Sequence, residues 1–270
     1  MPSLTDVQGD FRSYDWIVVN TSSGKDSQTA LRATVDLAEK AHVLDRLAVA
    51  HADLGRIEWE GCKELAEKQA QHYGAQRFWS LARPQGDFID LVRARRRFPD
   101  AANRLCTSSL KREQVSKLFT ELTKTLALPK GRPARILNVM GIRAEESPNR
   151  AKMIPFEIVA RQTNTRRQVF QWYPIHRWST AEVWSDIKSS GVPHHPAYDL
   201  GMRRLSCRFC ILADKASLML AGRHAPELLE EYVELEREIG HDFRHKFKIE
   251  RVKAAIAAGE DWGMPRQFTG

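Results

Sequence analysis

Cysteine is scarce in this sequence: four among 270 residues is too few for the disulfide framework of a small secreted domain. Long apolar runs are missing too. Asp15, Arg46, Arg135 and similar charges interrupt every hydrophobic stretch before it reaches the ~20 residues of a membrane-spanning helix, so no membrane partner is expected. The opening MPSLTDVQGDFRSYDW has no basic start followed by an apolar stretch, so no secretory leader is expected and a cytoplasmic location is the default. Internal repeats and low-complexity tracts are absent, and 15 Gly with 12 Pro are ordinary for a globular chain. Acidic residues are outnumbered. Forty-two Lys and Arg face 34 Asp and Glu, a net charge of +8 that favours polyanionic partners, whether nucleotides or nucleic acid.

What is present is an alternation of short apolar runs with amphipathic stretches. Residues 16–19 predict a first strand, followed by a polar turn and a helix with Leu31, Val35 and Ala38 on one face. Residues 47–51, 75–81, 136–140 and 168–173 predict four more strands, with helices over 58–73 and 114–126 between them. This pattern predicts an α/β fold, a doubly wound five-stranded parallel sheet that binds ligands at the carboxyl ends of its strands. Helices over 180–189 and 225–239 make a helical C-terminal extension. The expected division is 1–175 as a nucleotide-binding α/β domain and 176–270 as a mainly helical region carrying a C-x-x-C pair, with the tail from Glu260 poorly ordered unless it docks.

The string Ser22-Ser23-Gly24-Lys25-Asp26-Ser27, between strand and helix, is the strongest chemical signal. A tight turn of small residues presents consecutive backbone N–H groups at the positive end of a helix, as a phosphate chain requires, and Lys25 adds a mobile charge. It is not a Walker A loop, which needs Ser or Thr directly after the Lys, where Asp26 stands here. The plainer alternative is a polar turn that starts a helix. Cys207 and Cys210 form the C-x-x-C, a spacing suited to a metal, a cluster or a redox dithiol, and Arg203, Arg204 and Arg208 are expected to lower their thiol pKa values. Cys62 falls on the apolar side of its predicted helix and reads as a small buried hydrophobe.

Basic residues cluster in three places. Arg93, Arg95, Arg96, Arg97 and Arg104 precede Cys106; Arg161, Arg166 and Arg167 flank the fifth strand; and 241–253 carries Arg244, Lys246, Lys248, Arg251 and Lys253 with Phe243 and Phe247 between them. A nucleic-acid groove explains them, phosphates meeting cations and bases stacking on aromatics, and a solvated basic surface is the alternative.

The turn resembles the PP-loop (SGGKDS-type) of the adenine nucleotide α-hydrolase superfamily, with Ser23 where that pattern has its first Gly. HADLGRIEWEG (51–61), CTSSLKRE (106–113), GIRAEESPNR (141–150) and HPAYDLGMRRLSCRFC (195–210) follow in matching order. Together they resemble the phosphoadenosine-phosphosulfate (PAPS) reductase family, and within it the DndC- and SspD-type proteins of DNA phosphorothioation, leaving residues 216–270 uncovered.

The resemblance implies that Ser22, Ser23, Gly24, Lys25, Asp26 and Ser27 hold ATP, that Asp53 lies near the nucleotide or its Mg²⁺, and that Arg143 and Arg150 neutralise departing pyrophosphate. Lys25, Asp26 and Arg143 are the implied catalytic residues; for Arg143 and Arg150 the alternative is an ion pair with Glu145 or Glu146. The implied activity is that of a PP-loop ATP pyrophosphatase and sulfurtransferase, which adenylates an acceptor oxygen so that sulfur can replace it. Cys106, Cys207 and Cys210 would hold a [4Fe–4S] cluster or, with His194 or His195, a Cys₃His zinc site. Implied partners are DNA rather than tRNA, a cysteine desulfurase or other sulfur donor, and further modification subunits.

Two other readings compete with this one. One is a PAPS or adenylyl-sulfate reductase, although no cysteine follows Cys210 to supply the tail thiol of such enzymes, and Cys106 lacks the adjacent second cysteine of the cluster-bearing ones. The other is a nucleotide-binding, DNA-recruiting subunit without turnover.

Overall fold

The computed structural model describes residues 4–7, 10–129 and 131–263; of the tail, residues 264–270 lie outside the described residues. Strands β1 (Trp16–Thr21), β2 (Leu47–His51), β3 (Phe78–Ser80), β4 (Ala134–Met140), β5 (Phe156–Ile158) and β6 (Arg167–Trp172) form one sheet in the order β3-β2-β1-β4-β6-β5. Five strands run parallel, as the α/β pattern predicts, and β5 adds an antiparallel edge beside β6. This sixth strand escapes sequence reading because it is only three residues long, too short for the apolar–polar–apolar order of Phe156, Glu157 and Ile158 to mark a strand.

Period two in β1 sorts its side chains onto both faces of the sheet. Ile17 and Val19 pack with Leu31, Val35 and Ala38 of helix α1 (Lys25–Lys40), while Trp16 and Val18 pack with Val115, Leu118, Phe119 and Leu122 of helix α4 (Glu113–Lys124). Burying both faces explains why the strands read as near-continuous apolar runs. The order reverses where β1 lies between β2 and β4, and a doubly wound sheet opens its ligand crevice outside the carboxyl ends of the strands at such a switch point. The loop after β1 therefore starts at the place the topology favours.

Helix α2 (Cys62–His72) follows β2, and the short α5 (Pro148–Ala151) lies between β4 and β5. Helix α6 (Thr180–Ser190) belongs with the sheet: Ile175, Trp178, Val183 and Ile187 pack against Ala30 of α1. A single boundary at residue 175 is therefore corrected. Two compact units interleave along the chain, one comprising Met1–Ala52, Cys62–Leu81 and Val115–His194, the other Asp53–Gly61, Ala82–Gln114 and His195–Gly270. The segments after β2 and β3 leave the sheet unit and pack with the C-terminal helices.

The second unit contains α3 (Phe88–Arg95), α7 (Lys215–His224), α8 (Pro226–Ile239) and α9 (Glu250–Ala257). Its core is aromatic. Tyr232 is ringed by Phe88, Phe98, Phe209 and Phe243, with centroid separations of 5.9, 6.1, 5.1 and 6.1 Å. Asp87 caps α3 and pairs with Arg56 at 2.6 Å, tying the 53–61 segment into the unit. Among the described residues no helix is long and apolar enough to cross a membrane.

Candidate functional site

The loop after β1 turns on Ser23, whose φ of +55° places a non-glycine residue in the left-handed region. That conformation explains why the SGGKDS pattern has glycine at this position. The Ser22 N–H donates to Ser27 Oγ at 3.1 Å, and Ser27 Oγ donates to the Gly24 carbonyl at 2.8 Å, so the loop is closed by its own hydroxyls. Gly24 caps α1 without a side-chain hydrogen bond. The first N–H groups of a 16-residue helix thus meet no side-chain cap, the arrangement that attracts anions.

Lys25 and Arg143 converge on Asp26: Lys25 Nζ lies 2.8 Å from Asp26 Oδ2, and Arg143 Nε 2.5 Å from Oδ1. Both cations are almost completely buried, at 3 and 2% exposure. Arg143 also donates to Glu145 at 2.6 Å, to the Trp178 carbonyl at 3.1 Å and to Thr180 Oγ1 at 3.2 Å. Burial opposes its charge, but Asp26, Glu145 and Glu146 together outweigh that and hold the guanidinium above its ordinary range. Arg143 therefore acts here as the brace of Asp26. Gly141, just after β4, allows this approach, since a Cβ there would stand 2.3 Å from the Asp26 carbonyl oxygen. Arg150 takes the ion pair with Glu146, and its carbonyl faces His176 Nε2 at 3.0 Å. Asp53 falls in the second unit, where its Oδ1 accepts the Gly55 N–H at 2.9 Å.

The second unit also holds Cys106, Cys207 and Cys210. Cys106 opens a π-helical turn, Cys106–Arg112, that runs directly into α4; such wide turns often mark functional positions. The Arg208 N–H, inside the C-x-x-C, donates to the Ile57 carbonyl at 2.9 Å, and Arg244 Nη2 donates to the Cys210 carbonyl at 2.9 Å. The expected lowering of the thiol pKa by nearby arginines is overturned at Cys207. Burial pushes that thiol up to about 12, opposed by Lys111 and reinforced by Cys210 and Cys106. Burial likewise raises the Cys106 thiol, with Lys111 opposing and Cys210 adding to it.

The trio thus shares one electrostatic environment, yet among the described residues no group of His, Cys, Asp or Glu is gathered as a metal-ion site. A tetrahedral zinc would draw its sulfurs to roughly 3.8 Å of one another. His195 cannot complete a zinc site in this arrangement: its Nδ1 accepts the Ala197 N–H at 3.1 Å and its Nε2 donates to the Glu60 carbonyl at 3.1 Å. His194 packs its ring edge-on against Trp184 at 5.2 Å. A buried hydroxyl without a partner, Tyr232 Oη, lies in the same environment.

Residues 16–213 match the phosphoadenosine phosphosulfate reductase domain. The chain belongs to this family. A 37.8 kDa protein in the gpa 5′ region of Escherichia phage 186, itself uncharacterised, is 29% identical over 204 residues, covering 68% of this chain and 58% of the phage protein. Adenosine 5′-phosphosulfate reductase of Allochromatium vinosum is 33% identical over 75 residues, 28% of this chain and 27% of that enzyme. This chain thus spans less than two thirds of each relative's length. Among solved structures, FMN adenylyltransferase of Candida glabrata superposes with a TM-score of 0.51 at 14% identity, over 74% of this chain and 57% of that one, a likeness of fold alone.

The PAPS reductase domain match ends before the basic stretch 241–253, and the structure assigns much of that stretch to packing. Phe243 is fully buried in the aromatic core, Arg244 braces the cysteine loop through the Cys210 and Ala213 carbonyls, and Lys253 pairs with Glu230. Phe243 is therefore unavailable to stack on a base. Arg167 is buried too, donating to Thr120 Oγ1 at 2.6 Å and the Gln162 carbonyl at 3.0 Å, and Arg93 and Arg97 pair with Glu238 and Asp100. Arg166 is exposed and lines a cleft of about 750 Å³ with Lys124, Arg132 and Asn164, at the end of the sheet where β4 and β6 begin, opposite the PP-loop. Cys62 is buried, as its helical position predicts. Sequence reading did not single out Tyr232 or Gly141. Tyr232 looked like one more apolar position of a helix stripe, and nothing local marks Gly141 as touching a turn more than a hundred residues earlier.

Proposed function

We propose that the chain is an ATP-dependent sulfur-transfer enzyme acting on the DNA backbone. The observation that supports this reading most is the uncapped start of α1, flanked by buried Lys25 and by Asp26 braced on Arg143. In it, the first N–H groups of α1 and the Lys25 ammonium bind the triphosphate, whose Mg²⁺ would supply charge neutralisation. An acceptor oxygen attacks the α-phosphorus, pyrophosphate leaves, and a sulfur nucleophile then displaces AMP from the activated acceptor. Asp26, fixed by two cations, sets the position of Lys25, and Arg150, the more exposed arginine, faces the departing charge. Cys106, Cys207 and Cys210 are the residues that would hold a [4Fe–4S] cluster, whose contribution would be to carry sulfur. A cysteine-desulfurase-type donor and further modification subunits belong to this reading, with tRNA as the variant acceptor.

The similarity to an adenosine 5′-phosphosulfate reductase favours a second reading, reduction of a sulfonucleotide to sulfite. One experiment separates the two: pyrophosphate release from ATP with DNA present, beside sulfite release from PAPS or adenylyl sulfate with thioredoxin. The first reading expects pyrophosphate, reduced about 100-fold in Asp26→Asn. Sulfite without pyrophosphate overturns it in favour of the second.

A further inference from the structure

Tyr232 is the anomaly of the second unit. Its side chain is completely buried, and its hydroxyl makes no hydrogen bond to any protein atom. Buried tyrosines ordinarily find a partner for the O–H, because stranding one costs roughly 1–3 kcal/mol. Four phenylalanine rings fix the phenol in place, so it cannot turn away to find another partner. One of them, Phe209, sits between the two cysteines of the C-x-x-C and lies 5.1 Å from the Tyr232 ring, so the ring packs against the cysteine loop itself. Arg244 repeats the pattern: its Nη2 holds the Cys210 carbonyl, while its Nε is buried without a partner. Two stranded donors thus stand around one thiol loop, and donors are what a negatively charged, sulfur-rich group requires. Both residues lie beyond the family match at residue 213.

We propose that the Tyr232 hydroxyl donates a hydrogen bond to the sulfur-rich anionic group held by Cys106, Cys207 and Cys210, acting as a positioning residue for it. The inference rests on the reading of the three cysteines given under the proposed function. Arg244 Nε is the second donor of the same kind.

The test is anaerobic reconstitution of the full-length protein with ferrous iron and sulfide, comparing wild type with Tyr232→Phe, which keeps the aromatic packing and removes only the O–H. Three readouts are taken: the thermal midpoint of the iron-free protein, the rate of iron loss to a chelator, and the reduction potential of the loaded protein. Tyr232→Phe is expected to unfold at the wild-type temperature or above it, because a stranded hydroxyl has been removed. The same variant is expected to lose iron at least about tenfold faster and to have a more negative potential. A merely structural residue would move stability and loading together, so a drop in both overturns the inference. Wild-type iron retention and potential in Tyr232→Phe also overturn it while leaving the cysteine reading intact. A wild-type protein that takes up no iron overturns the cysteine reading itself, and the inference with it.

Discussion

Gly141 offers a direct test of how the 22–27 loop is held. A methyl group added at its Cα would stand 2.3 Å from the carbonyl oxygen of Asp26, 2.5 Å from its carbonyl carbon and 2.7 Å from the Ser27 nitrogen. These are backbone atoms of the first turn of α1, so no side chain can swing aside, and reaching ordinary contact requires a shift of about 1 Å. Overpacking of this kind costs about 1–3 kcal/mol. A displacement of about 1 Å at a reacting centre costs on the order of 100-fold in rate. Gly191→Ala is the control: at φ +66° with nothing within 4 Å of the added methyl, it carries backbone strain without a steric clash. Its stability cost is comparable, about 1 kcal/mol. Urea denaturation and calorimetric titration with a non-hydrolysable ATP analogue distinguish the two. Gly141→Ala should lose both stability and nucleotide affinity, and Gly191→Ala stability alone. Wild-type stability and affinity in Gly141→Ala would refute the claim that β4 and the loop are packed backbone to backbone.

Two further substitutions probe the loop and the helical unit. Ser23→Gly, which supplies the residue the left-handed turn prefers, should keep stability within about 1 kcal/mol and preserve nucleotide binding, whereas Ser23→Val should lose both; chemical denaturation with analogue titration reads this out. Glu236 is buried and accepts the Phe243 N–H at 2.6 Å and the Ile249 N–H at 3.1 Å, with desolvation raising its pKa above the ordinary carboxylate value. A raised acid binds its proton more tightly in the folded chain. Its contribution therefore favours folding as pH falls through the folded pKa toward the unfolded value of 4.5, and opposes folding above that window. Glu236→Gln, which keeps an acceptor oxygen for both amides, should flatten the stability profile across the window and hold its stability at pH 7. An unchanged profile would remove Glu236 from the account.

The sheet and its loop were legible because they are local. The 47–51 run coincides with β2, the 16–19 run lies inside β1, and the turn between β1 and α1 carries its own small residues and lysine. The interleaving of the units was not legible, because Arg56 meets Asp87 and Glu231, partners 31 and 175 residues away, and no window of sequence contains such pairs. Helix α3 escaped for a related reason: Asp87 and Asp90 form a capping box, but the arginine run at its end reads as a polyanion surface before it reads as a helix. Arg143 was singled out as a phosphate contact. The structure spends its donors on Glu145, the ion-pair alternative, and also on Asp26, Trp178 and Thr180, three partners that no local window of sequence contains.

Because the chain passes from one compact unit to the other five times, no single breakpoint separates them. Recombination at one position would graft an incomplete core onto another, so neither half travels as a cassette. Diversification of the second unit would have to proceed instead by exchanging the 53–61 or 82–114 insertions one at a time, each bounded at both ends by the sheet unit it leaves and rejoins.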